Sequence, residues 1–435
     1  MGLRRGARDR RRQGSGRYAG AAPGSAGLSG GRLRVSPSWS HPAARFLLAC
    51  ALPADRVGPG TLAGLAGQIE DWDALSARAL HALAEPLVQA RLAELGALVP
   101  DPARQRIDRL AAASAARNLR LSALLTSLHD TWFVPNGISY VAVKGVTLAQ
   151  RYYGTISRRT CRDLDLLVDP ASCAKTILHL VDAGFRPCRG FELPDEPGKR
   201  EVHVSAMCDL NDEISLRSPA GDLVDVHTAL DLTGADFPTS RLLAKTEAVS
   251  ILGRSIPCLP TEELFVFLCY HHSRHHWTRL HWVADIGRIA SAPDFDCARV
   301  LAAARRNGME GLVQACLGML EELALAVHGT APAGDGLAAT MARQCLTHLD
   351  PEAEAPMETY VRGIHDWRFR WRHWFVLTGE EWRYRRGFAR KLRSLLRSST
   401  PSWEVYRAMP LPRGLRWLYV PMRTAMHLLR HVPRW

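Results

Sequence analysis

With 435 residues, 47% of them hydrophobic, the chain can bury a sizeable core and divide into two or three subdomains. Ten cysteines are scattered from Cys50 to Cys345 without CxxC spacing, and no apolar run approaches the ~20 residues of a spanning helix. Reduced thiols are therefore expected rather than a disulfide framework, and no membrane-embedded segment. The net charge of +13 belongs to the ends: residues 1–46 carry ten arginines and one aspartate, residues 361–435 carry sixteen arginines, one lysine and four acids, and the stretch between is acidic. An acidic centre is not expected to grip nucleic acid.

Residues 1–42, rich in Gly, Ser, Ala and Arg and lacking apolar periodicity, read as a disordered basic tail. Its arginines are followed by small residues and not by the apolar segment of a secretory signal, so a cytoplasmic protein is expected. Residues 43–137 read as a helical subdomain. Its Leu/Ala-rich segments are broken at Pro53, Gly58 to Gly60 and Pro100 to Pro102, and one long amphipathic helix runs from Arg104 to His129. Residues 138–258 alternate strand and helix signals. Ile138–Val143 reads as a strand, Val146–Tyr153 as a short helix, Asp163–Val168 as a strand and Pro170–Gly184 as a helix. Further strands are expected around His203 and Ile214, and at Asp222–His227 after the Ser218–Gly221 turn. Helices return over 259–360, the first opened by Thr261 as N-cap with Glu262 and Glu263 in its first turn. The fold class is α+β, a small mixed β-sheet core flanked by N-terminal and C-terminal helical subdomains.

Chemistry concentrates in the core. Side chains two apart on a strand share a face, so Asp163 and Asp165 lie together while Leu164, Leu166 and Val168 face a core. Two adjacent carboxylates repel and are costly to bury unless a cation sits between them. Mg²⁺ takes oxygen ligands, commonly one or two carboxylates with substrate phosphates, so the pair points to a metal–nucleotide site. Asp225 supplies a candidate third carboxylate from a neighbouring strand, and three can hold two ions roughly 3.5–4 Å apart. Lys144-Gly145 forms a turn between a strand and a helix N-terminus, an arrangement suited to phosphate, and Arg158, Arg159 and Arg162 form a candidate cationic rim. Plainer readings stand beside these: a solvent-facing strand edge or helix N-cap for Asp163 and Asp165, an exposed turn lysine for Lys144, a solvated loop for the arginines. His227 suits ordering of nearby groups or a base. His271, His272, His275 and His276 have i, i+4 spacing compatible with zinc, but no HExxH or cysteine pair completes the set. Asp285 suits either a cleft-facing group or a helix contact.

The ordered set of Lys144-Gly145, Tyr152 or Tyr153, an arginine, Asp163 to Val168, Ala183-Gly184-Phe185 and Val224 to His227 resembles the bacterial uncharacterised nucleotidyltransferase family, within the polymerase-β-like superfamily. The resemblance covers roughly residues 44–330. It implies nucleotide transfer, with Asp163, Asp165 and Asp225 as catalytic and metal-binding residues and two Mg²⁺ ions as cofactors. Lys144, Gly145 and Arg159 would hold the NTP substrate, and an unidentified acceptor, a small molecule, peptide or protein, would receive the nucleotide. Lys144-Gly145 stands where the superfamily usually has Gly-Ser, so a degenerate binding or scaffold protein is the alternative. Residues 361–435 hold seven of the twelve tryptophans among arginines, a pattern that suits peripheral contact with an anionic inner-membrane surface or packing back on the protein.

Overall fold

The computed structural model describes residues 37–350 except 189, 190, 232 and 233, together with 379, 382–385, 387–398, 403, 406 and 409–418. Helices α1 (Pro42–Ala51), α2 (Pro59–Ala66), α3 (Trp72–His81), α4 (Glu85–Leu92) and the 28-residue α5 (Asp101–Leu128) precede the sheet. Prolines at the first turns of α1, α2, α4 and α5 set these starts, since the missing N–H would have had no helical partner. A short 3₁₀ segment at Pro37–Ser40 precedes α1. Residues 1–36 lie outside the described residues.

Strands β1 (Tyr140–Ala142), β2 (Asp163–Val168), β3 (Arg186–Pro187), β4 (Glu213–Arg217), β5 (Leu223–His227), β6 (Glu247–Ile251) and β7 (Arg254–Cys258) form one mixed sheet in the order β3-β4-β5-β2-β1-β7-β6. β2 pairs β5 in parallel, and β1 pairs β2 antiparallel and β7 in parallel. Between them run α6 (Val146–Tyr153), α7 (Pro170–Asp182), α8 (Pro197–Leu210) and α9 (Thr239–Ala244). After the sheet come α10 (Thr261–Arg274), α11 (Leu280–Ala290), α12 (Cys297–Arg306), α13 (Glu310–Val327) and α14 (Leu337–Thr347), with α15 (Phe388–Ser398) further on. The α+β class and the flanking helices are as expected.

The sheet separates two apolar cores. Leu164, Leu166, Val168, Val224 and Val226 belong to one, with Ile177, Val204 and Met207 of α7 and α8. The opposite face carries Val141, Val143 and Leu167, which join a second core built from the helices before and after the sheet. Asp163 and Asp165 alternate with the first set on β2, and Leu223, Asp225 and His227 do so on β5. The carboxylates thus lie on the face covered by the helices before and after the sheet and not on the face covered by α7 and α8.

Three local expectations need correction. His203 lies on α8, not on a strand: Val204 and Met207, both buried, are one helical turn apart, and the alternation of Val202-His203-Val204 was too short to decide. Thr261 begins α10 without capping it. Its hydroxyl accepts instead from Arg151 Nη2 at 2.6 Å and bonds the Tyr152 hydroxyl at 3.0 Å. The four-histidine run is not one helix face, because α10 ends at Arg274 and His276 and Trp277 adopt positive φ of 54° and 55°. Of the C-terminal tryptophans, Trp403 is buried against Phe191, His203 and Tyr406. Trp367, Trp371, Trp374 and Trp435 lie outside the described residues. Among the described residues no helix is long and apolar enough to cross a membrane.

Candidate metal and nucleotide site

Parallel pairing of β2 with β5 sets Asp165 directly opposite Asp225, and Asp163 lies two residues earlier on the same face. One oxygen from each of the three carboxylates falls within 4.8 Å of the other two, and this is the converging group of potential metal ligands among the described residues. Asp165 and Asp225 are buried and Asp163 is half-buried. The histidine run brings no such group together: His271 Nδ1 lies 3.1 Å from His272 Nδ1, and His272 stacks on Trp282.

Lys144 leaves β1 beside these carboxylates. Its Nζ lies 2.5 Å from Asp165 Oδ2 and 3.4 Å from Asp163 Oδ1. The β1–β2 pairing that carries it there continues through Val143 N–H, which donates to Asp165 O at 3.0 Å. Gly145 follows with φ 73° and ψ −125°, a conformation that a residue with a Cβ resists, and caps the start of α6. A Cβ on Gly145 would meet the Asp163 carbonyl at 3.4 Å, so the turn brings the α6 N-terminus against the backbone that bears the first carboxylate.

The electrostatics of the three acids differ. Burial works against the charge of Asp165, but Lys144 and a 3.2 Å contact from His227 Nε2 outweigh it and hold that carboxyl below the usual range. Burial also works against a charged His227, yet the bond to Asp165 and the nearby Glu213 raise its pKa. Burial and the neighbouring Asp165 charge push Asp225 up to about 7, against a hydrogen bond from Ser215 on β4. Asp225 Oδ1 is buried without a hydrogen-bond partner. An all-oxygen donor set containing one orphaned buried carboxylate oxygen fits a hard divalent cation.

Arg159 occupies a different place from the one expected. Arg158 and Arg162 are exposed, whereas Arg159 is buried and bound to Asp285 through Nε at 2.7 Å and Nη2 at 2.8 Å. Asp285 also accepts from the Tyr153 hydroxyl at 2.7 Å, and His272 Nε2 lies 3.6 Å away. The guanidinium therefore ties the loop before β2 to α11 instead of lining a solvent-facing rim. Asn118 on α5 holds the same loop: its amide donates to the carbonyls of Ile156 at 2.5 Å and Arg159 at 2.6 Å and accepts from Cys161 N–H at 3.2 Å. Sequence reading missed Asn118, whose one signal is a poor helix former inside an alanine-rich helix.

Residues 68–324, more than half of the chain, match the family described as uncharacterised nucleotidyltransferase. No curated protein matches the chain. The carboxylate face of β2 and β5 lies within the matched segment, and the chain belongs to the uncharacterised nucleotidyltransferase family.

Proposed function

We propose that the chain transfers a nucleoside monophosphate from an NTP to a hydroxyl of an acceptor, with Mg²⁺ as cofactor. The observation that carries this reading is the convergence of Asp163, Asp165 and Asp225 from two strands to within 4.8 Å. Such a cluster costs stability in an apoprotein and has a direct use in holding a cation against phosphates. Bound there, Mg²⁺ would supply charge neutralisation for the triphosphate and the departing pyrophosphate. Asp163 and Asp165 would hold the ion from β2. Asp225 would hold the ion from β5 through its Oδ1, which has no hydrogen-bond partner, and would help activate the attacking hydroxyl beside it. His227 and Lys144 keep Asp165 ionised and fixed in orientation. The Gly145 turn presents the first amides of α6 toward the same end of β2, where a phosphate would be favoured. Catalysis on this plan is mainly positioning and neutralisation.

A second reading, a family member that binds without turnover, draws on one observation: Lys144 already pairs with both β2 carboxylates. Calorimetric titration with ATP, CTP, GTP and UTP, with Mg²⁺ and with EDTA, separates the two. Metal-dependent binding of a nucleotide by the wild type, lost in Asp163→Asn/Asp165→Asn, supports transfer; absence of metal-dependent binding in the folded protein supports the second reading.

A further inference from the structure

The carboxylate cluster contains a cation of its own. Lys144 Nζ sits at 2.5 Å from Asp165 Oδ2 and 3.4 Å from Asp163 Oδ1, and its side chain is only 13% exposed. His227 Nε2 lies 3.2 Å from the other oxygen of Asp165, so Lys144 and His227 each take up part of the central carboxylate's ligand capacity. The largest remaining capacity lies on either side, at Asp225 Oδ1, which has no hydrogen-bond partner, and at the half-buried Asp163. Three carboxylates against one ammonium leave at most two formal negative charges, fewer when His227 is protonated, and no more than a single divalent ion neutralises. A second divalent ion would overcharge a buried site and would have to compete with an ammonium held at ion-pair distance by two acids.

Lys144 is also poorly placed to leave. It directly precedes Gly145, whose left-handed conformation fixes the turn, and the Thr147 hydroxyl donates to the Lys144 carbonyl at 3.1 Å. The turn points the ammonium into the cluster.

We propose that Lys144 fills one of the two cation positions of this site, so that the protein loads one divalent ion where a three-carboxylate cluster otherwise accommodates two. The inference rests on the nucleotidyl-transfer reading for its metal, and it goes further in assigning a lysine to a role that an ion would otherwise take. It predicts that the ammonium and the second ion exclude each other.

The test is a Mn²⁺ titration of the full chain, following free Mn²⁺ by electron paramagnetic resonance, for the wild type, Lys144→Met, Lys144→Arg and Asp225→Asn. Circular dichroism of each variant checks the fold. The expected result is one Mn²⁺ per wild-type chain, one for Lys144→Arg, two for Lys144→Met, and binding weakened at least about tenfold in Asp225→Asn, in line with loss of a carboxylate ligand. Two ions in the wild type overturn the inference and leave the transferase reading intact. One ion in Lys144→Met, bound as in the wild type, also overturns it alone. No Mn²⁺ in any folded protein removes both the inference and the metal site. If Lys144→Met does not fold, the wild-type and Lys144→Arg stoichiometries decide the question.

Discussion

Two of the buried acid–base clusters among the described residues are built on opposite terms. Around Asp285, the carboxylate itself is closed: Arg159 grips it at 2.7 and 2.8 Å, Tyr153 donates at 2.7 Å, and the residue is fully buried. Around Asp163, Asp165 and Asp225, three acids share one lysine and one histidine, one carboxylate oxygen has no partner, and Asp163 reaches solvent. A closed pair holds elements together, here the loop before β2 and α11. A cluster with excess charge and a spare ligand is held in place by the surrounding fold and has capacity left for an ion. The difference lies in how far each acid is satisfied and not in burial, since Asp165 and Asp225 are also buried.

That contrast can be broken most sharply by two aspartate substitutions with opposite expected effects. Asp225→Asn should lower turnover on the order of 10³-fold, the scale of losing a charged group at the reacting centre. It should leave thermal stability equal or higher, because a carboxyl whose pKa is pushed up to about 7 by burial and Asp165 opposes folding when ionised. A melting curve with an activity assay checks both. If Asp225→Asn unfolds the protein at neutral pH, the open cluster is structural after all. Asp285→Ala should do the reverse, costing about 3–5 kcal/mol by stranding Arg159 in the core, while Mn²⁺ affinity of the folded fraction is retained. Chemical denaturation measures that loss.

A smaller effect is expected from pH. Burial holds His271, His272 and His281 below their ordinary pKa, His272 at about 4 despite the opposing pull of Asp285. The unfolded chain binds these protons near pH 6.5 and the folded chain does not, so stability present above pH 6.5 is lost as pH falls toward 4. The loss for His272 alone is about 3 kcal/mol, read from melting temperature against pH. A flat profile over that range would mean that the histidines protonate without unfolding and that the layer beneath Asp285 is open to water. Smallest is Gly145→Ala, which forces a Cβ onto φ 73° and should cost about 1–2 kcal/mol. Its sharper consequence is a displaced Lys144, so Mn²⁺ binding should change more than the melting temperature does.

Much of the site was legible from local rules. Two-residue alternation alone sets Asp163 and Asp165 on one face of β2, and the glycine turn after β1 marks the start of α6 at Val146. Lys144 was legible as a cation near the site but not as a partner of its carboxylates, because a four-carbon stem reaches in many directions and neighbouring strands select one. Arg159 looked like a solvated rim residue beside Arg158 and Arg162. Its partner is 126 residues away, and nothing in the intervening sequence signals the pairing. The alternating Val202-His203-Val204 misled because three residues fit a strand as well as a helix.

The sequence by itself determined what is local: the α+β class, which side chains share a strand face, where glycine must turn the chain, and an acidic centre between basic ends. The tertiary structure alone decided the rest. It placed β5 beside β2 in parallel so that Asp225 meets Asp165, set His227 on an acid 62 residues distant, and buried Arg159 against α11. Strand order and register depend on which apolar faces can be covered together, a property of the assembled sheet and its two cores that no local window contains.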